Sequence, residues 1–155
     1  MKMKYKFVCG ILCFFILTSC GFKLAQNTYN FSIVDINTTG DKNVSYLLKN
    51  RLNFGSKEKA NQLEIKIFSE KLKTIKEKNI ANQITKYEIK IVSKIKYRTL
   101  PYGDSNNFTI SKFGNFSVTS EHLNTLNNEK KLIEVLVNDI IEEILLNLSI
   151  KHNDS

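Results

Sequence analysis

The most regular stretch of the chain runs from Tyr87 to Arg98. Tyr87, Ile89, Ile91, Ile95 and Tyr97 are apolar or aromatic, and Glu88, Lys90, Lys94, Lys96 and Arg98 between them are charged. Side chains two apart share one face of a strand, so the pattern predicts a long strand with one buried and one wet face. Only Val92 and Ser93 break the alternation. Upstream, Leu63, Ile65 and Ile67 alternate with Glu64 and Lys66 and predict a strand continuing through Phe68 and Leu72 toward Ile75, where a change of phase points to a bulge or to the end of the packed region. The lysine-rich segment Lys71 to Asn82 is too polar for a core and is expected to form the projecting end of a hairpin. Residues Phe31 to Ile36 predict a first strand, closed by a turn at Asn37 to Gly40.

Between the first two strands the period changes. Val44, Leu47, Leu48 and Leu52 predict a short helix over 42–53, with Asp41 as N-cap and Gly55 as stop, followed by a charged loop from Ser56 to Ala60. After a turn at Leu100 to Asp104, the residues Phe108, Ile110, Phe116 and Val118 predict a fourth strand; its phase slips around Phe113 to Asn115, with Gly114 a candidate bulge. The last element is a long amphipathic helix. Leu132 and Ile133, Leu136 and Val137, Ile140 and Ile141, Ile144 and Leu145, then Leu148 form its apolar stripe, which Leu123 and Leu126 extend toward a start near Glu121. Residues His152 to Ser155 are expected to fray. The order β-α-β-β-β-α predicts an α+β fold: a four-stranded, mostly antiparallel sheet with two helices packed on one face.

The first thirty residues follow different rules. Lys2, Lys4 and Lys6 precede an apolar run from Phe7 to Leu17, which ends in Thr18, Ser19 and Cys20. A positive segment, a short apolar run and small residues make a signal peptide, and the run is too short to cross a bilayer as a helix, which takes about 20 residues. Leu17-Thr18-Ser19-Cys20 resembles the lipobox of bacterial lipoproteins. The resemblance implies cleavage before Cys20, a diacylglycerol on its thiol and an acyl chain on its amine, which together anchor a protein that need not itself be hydrophobic. Gly21 in place of an aspartate implies sorting to the outer membrane. The chain thus divides into a signal peptide (1–19), a lipidated tether (20–30), a single domain (31–150) and a frayed end (151–155).

Charge and cysteine content narrow the partners. The chain holds 23 basic against 15 acidic residues, and only three of its lysines precede Cys20, so the mature part stays basic. In the periplasm such a charge meets phosphorylated lipid or an acidic protein surface, with no nucleic acid expected. Cys9 and Cys13 lie in the signal peptide and Cys20 is committed to its thioether, so packing alone must supply stability.

Taken with the order of elements, Cys20-Gly21-Phe22-Lys23-Leu24, Ala60-Asn61-Gln62-Leu63-Glu64-Ile65 and Lys86-Tyr87-Glu88-Ile89 resemble the LptE family of outer-membrane lipoproteins. The resemblance implies a plug inside the large β-barrel of LptD that assists assembly of that barrel and binds lipopolysaccharide. It also implies an outer-membrane location facing the periplasm, with no cofactor beyond the lipid on Cys20. Lysine fills nearly all basic positions, and it neutralises phosphate without the two-pronged geometry of arginine.

A lipopolysaccharide-binding surface needs cations beside apolar area. The even face of the third strand offers Lys90, Lys94, Lys96 and Arg98, with Lys86 in line and with Lys71 and Lys73 as neighbours if the hairpin pairs. The same pattern also describes a solvated sheet face or one lining a barrel wall. Tyr102 and Phe108 are candidates for a partner interface or for ordinary hairpin packing. No catalytic motif occurs: His122 and His152 stand thirty residues apart without a ligand set, no Gly-rich phosphate loop is present, and no enzymatic activity or metal is expected. An auxiliary lipoprotein of an envelope ABC transporter, or a stand-alone periplasmic binding lipoprotein, would share these features.

Overall fold

The computed structural model describes residues 30–52, 61–101 and 103–153. The signal peptide, Cys20 and most of the tether, the stop at Gly55 with the loop Ser56 to Ala60, Tyr102 and the last two residues lie outside the described residues. Strands β1 (Phe31–Gly40), β2 (Asn61–Lys78), β3 (Ile84–Leu100) and β4 (Ser105–Ser117) form one sheet in the order β1-β2-β3-β4. Helix α1 (Lys42–Leu52) follows β1, and α2 (His122–Asn153) follows β4. The β1–β2 pair is parallel and the other two are antiparallel, so the architecture is the expected α+β order.

The crossover from β1 to β2 is built from local chemistry. The expected turn at Asn37 to Gly40 is instead the second half of β1, paired with Lys66 to Ser69 of β2. A register shift between Ile33 and Asp35 resets the phase, leaving Val34 exposed. The chain leaves the sheet at Gly40, whose φ of 101° is available to glycine but strained for other residues. A Cβ there would stand 2.0 Å from the Ser69 carbonyl oxygen, which accepts the Asp41 N–H at 2.8 Å. Asp41 then caps α1 as expected: its Oδ1 accepts the N–H groups of Asn43 and Val44, both at 3.1 Å. Val44, Leu48 and Leu52 face the core.

The inner face of the sheet and the stripe of α2 close over each other. Leu63, Ile65 and Ile67 of β2 and Ile89, Ile91, Ile95 and Tyr97 of β3 are buried against Ile133, Leu136, Val137, Ile140, Ile144 and Leu148. Complete burial of each aliphatic side chain contributes about 1.5–3 kcal/mol. Ser93, the polar exception on the buried face of β3, lies opposite Ser69, and the two hydroxyls hydrogen-bond at 2.8 Å with no exposure. Arg51 fastens α1 to α2, donating to the Glu134 carbonyl at 3.3 Å and to Asn138 Oδ1.

Three expectations are corrected by packing. β4 has no bulge at Gly114, because its register with β3 is unbroken from Lys86–Ser117 to Arg98–Ser105. Phe113 simply points outward, and Gly114 faces α2, where a Cβ would lie 2.7 Å from Leu132 Cδ1. The apolar stripe of α2 does not extend into the core at its start, since Leu123 and Leu126 are exposed. At the other end, α2 continues through Asn153 where fraying was expected. His152 holds the last turn down, with its ring 6.0 Å from Phe31 and 6.3 Å from Tyr97.

Beyond Ser69, β2 outruns β1, and the β2–β3 hairpin projects as expected. The phase change near Ile75 is a bulge, with register shifts on both sides of Glu77. At the tip the Asn79 side chain accepts the N–H groups of Ala81 and Gln83, Asn82 adopts φ 61°, and Ile80 is fully exposed.

Two stability predictions follow from this packing. Gly40→Ala should lower the unfolding free energy by at least about 1–3 kcal/mol from backbone strain alone, whereas Gly114→Ala meets only the end of a leucine side chain and should cost less; urea denaturation of both variants checks the order. Burial, and then Lys151, hold the His152 imidazole below its ordinary value of 6.5. The folded state therefore binds fewer protons near that pH, and this contribution to stability is complete above about 6.5 and lost as pH falls through the folded-state value. His152→Phe should flatten that part of the stability–pH curve, read from thermal melts between pH 8 and pH 5.

Candidate functional site

The alternation that buries Ile89, Ile91 and Ile95 sends Lys90, Lys94, Lys96 and Arg98 to the opposite, outer face, where all four are exposed. Neither helix covers this face. Register arranges it in rows across the strands: Asp35, Glu64, Arg98 and Ser105; then Asn37, Lys66, Lys96 and Asn107; then Thr39, Phe68, Lys94 and Thr109. The second and third rows line a shallow groove of about 440 Å³, with cations at its centre and amides or hydroxyls on both sides.

The four predicted residues are not equivalent. Arg98 Nε donates to Glu64 Oε2 at 2.6 Å. This bond holds the Glu64 carboxyl below its ordinary range and the Arg98 guanidinium above its own. Its charge is therefore largely answered within the face. Lys94 and Lys96 form no ion pair among the described residues, and neither does Lys66, which β2 places directly opposite Lys96 and whose charge acts on Glu64 only through space. Like charges facing each other across a strand pair repel, and an anion placed between them would offset that cost. Lys94 Nζ lies 5.9 Å from the centre of the Phe68 ring. Lys90 stands apart, two rows from Lys94, between Leu72 and Phe113.

Register places two candidates elsewhere, and an ion pair engages a third. Lys71 and Lys73 share the inner face of β2 with Ile67 and Ser69, and so cannot join the β3 cations. Lys71 pairs with Asp41 at 3.4 Å, and Lys73 pairs with Glu129 at 2.6 Å, with its ammonium 4.5 Å from the Tyr87 ring centre. Phe108 is half-buried against the core, 6.0 Å from the Tyr97 ring, and also lines the groove. Lys86 is bound to Glu77 at 2.8 Å. Lys66 was missed because its own strand shows only an alternation; its place opposite Lys96 requires the pairing of the two strands.

No helix of the described residues is long and apolar enough to cross a membrane. No protein-family model matches the chain, and no curated protein matches it. Among solved structures, the fold is similar to rare lipoprotein B from Shewanella oneidensis, with a TM-score of 0.58 and 12% identity over 77% of this chain and 97% of that one. It is also similar to a protein of Caulobacter crescentus CB15 assigned as a lipoprotein, with a TM-score of 0.50 and 13% identity over 74% and 87% of the two chains. The class defined by this architecture is therefore an α+β domain of the kind found in bacterial lipoproteins, here with an uncovered cationic sheet face.

Individual substitutions should separate the cations. Lys66→Gln and Lys96→Gln should each weaken binding to anionic phospholipid vesicles by about fivefold, the effect of about 1 kcal/mol per lysine near such a surface. Arg98→Gln should have a smaller effect because Glu64 already engages that charge. Vesicle co-sedimentation at low and physiological salt checks the ranking.

Proposed function

We propose that this protein is a lipid-anchored outer-membrane lipoprotein of the lipopolysaccharide-assembly machinery. Held through Cys20 and facing the periplasm, it binds lipopolysaccharide, plugs an LptD-type β-barrel and assists that barrel's assembly. It acts by binding, without catalysis and without a cofactor beyond the acyl chains on Cys20. The observation that carries this reading is the juxtaposition of Lys66, Lys94 and Lys96, none of them in an ion pair among the described residues, with the ring of Phe68 on a sheet face that neither helix covers. A phosphorylated glycolipid presents the complementary groups: anions for the lysines, hydroxyls for the flanking Asn37, Thr39, Asn107 and Thr109, and acyl chains for apolar area. The lipobox-like sequence at Cys20 and a fold shared with bacterial lipoproteins support the anchored location.

Affinity purification of the full-length protein from detergent-solubilised outer membranes tests the partner. A stoichiometric large β-barrel should co-purify, and Cys20→Ala, which lacks the anchor, should lose it from the membrane fraction. Recovery with an ATPase and a permease would replace this reading by that of an auxiliary transporter lipoprotein, and recovery alone by that of a stand-alone binding lipoprotein.

A further inference from the structure

The outer face changes character along the strands. The two rows that line the groove carry Lys66, Lys94 and Lys96 and no acid. Past them β1 has ended, and the next row holds Glu70, half-buried Val92 and Ser111. The row after that sets Lys90 between Leu72 and Phe113, which are 55% and 68% exposed. Beyond it stands Glu88, paired with Lys76 at 3.0 Å. Cation and apolar surface are thus segregated lengthwise: on one side of the groove lie Asp35 and the Glu64–Arg98 pair, and on the hairpin side Glu70 and then exposed apolar side chains.

We infer that a phosphorylated lipid lies along the strands, its anionic head in the groove among Lys66, Lys94 and Lys96 and its acyl chains over Leu72 and Phe113 toward the hairpin. The inference rests on the reading that this face takes lipopolysaccharide, and adds the polarity of the bound lipid. Three features set that polarity. Three cations without ion pairs among the described residues cluster at the groove, while Glu70, which forms none either, repels a phosphate placed nearer the hairpin. Phe68 and Val92 provide apolar contact between the two ends, so a chain leaving the groove stays on apolar surface. From the Lys66 row to the Leu72 row is six residues of strand, about 20 Å, a distance that a fatty acyl chain can follow. Lys90 need not interrupt it, because a lysine lays its methylene stem along apolar surface and keeps its ammonium in water.

Two ligands and two variants test this placement in the full-length protein. The ligands are purified lipopolysaccharide and the phosphorylated oligosaccharide left after its complete deacylation, each titrated calorimetrically. Leu72→Ser with Phe113→Ser changes only exposed side chains, and its fold is checked by circular dichroism. This double variant should weaken lipopolysaccharide binding by about tenfold or more and leave oligosaccharide binding unchanged. Lys94→Gln with Lys96→Gln should weaken both. If the apolar pair affects both ligands alike, or neither, the lengthwise placement is overturned while lipopolysaccharide binding stands. If the wild-type protein binds neither ligand, the proposed function falls and the placement with it.

Discussion

Ile67 pairs with Ile95 and Ser69 with Ser93, and that register between β2 and β3 governs both faces of the sheet. A shift by one residue would turn every side chain of one strand to the wrong side. The apolar seam against α2 penalises such a slip, because it would put Lys66, Phe68 and Glu70 into the core and expose Ile65 and Ile67. The buried Ser69–Ser93 hydrogen bond adds specificity, since each hydroxyl would be left unsatisfied out of register. The same pairing that builds the core therefore also brings Lys66 opposite Lys96 on the other side.

Among the described residues no strand pairs with the outer edge of β4 or with β2 beyond Ser69, and both stretches carry charge. On β4, Lys112 points toward α2 and meets Glu143 Oε2 at 2.5 Å, a bond that raises its affinity for the proton. An inward-pointing charge on an edge strand opposes pairing with another chain. On β2 the edge is free beyond Ser69, and there the strand carries Lys71, Lys73, Lys76 and Lys78. The lysines near the hairpin are thus accounted for by edge protection and by ion pairs with Asp41, Glu129 and Glu88. The groove lysines form no such ion pairs among the described residues, which distinguishes them from the more numerous hairpin lysines.

Much of the fold was legible because it rests on local periodicity. Period two and period 3.6 are properties of consecutive residues, so the strands, the helix capped by Asp41 and the stripe from Leu132 to Leu148 could be read directly. Gly114 misled because a strand interrupted by a glycine looks the same in sequence whether the chain bulges or a helix side chain occupies the space. Leu123 and Leu126 misled because periodicity says which side of a helix they share, not whether the sheet reaches that far.

The sequence by itself determined the order β-α-β-β-β-α and the grouping of Lys90, Lys94, Lys96 and Arg98 on one side of one strand, since alternation within a strand is independent of its neighbours. Only the tertiary structure decided which of those charges remain unanswered. It placed Glu64 against Arg98, sent Lys71 and Lys73 to the helix side and set Lys66 beside Lys96. Those outcomes depend on contacts between strands far apart in the chain, and a charge acquires its strength as a binding group from what stands across from it.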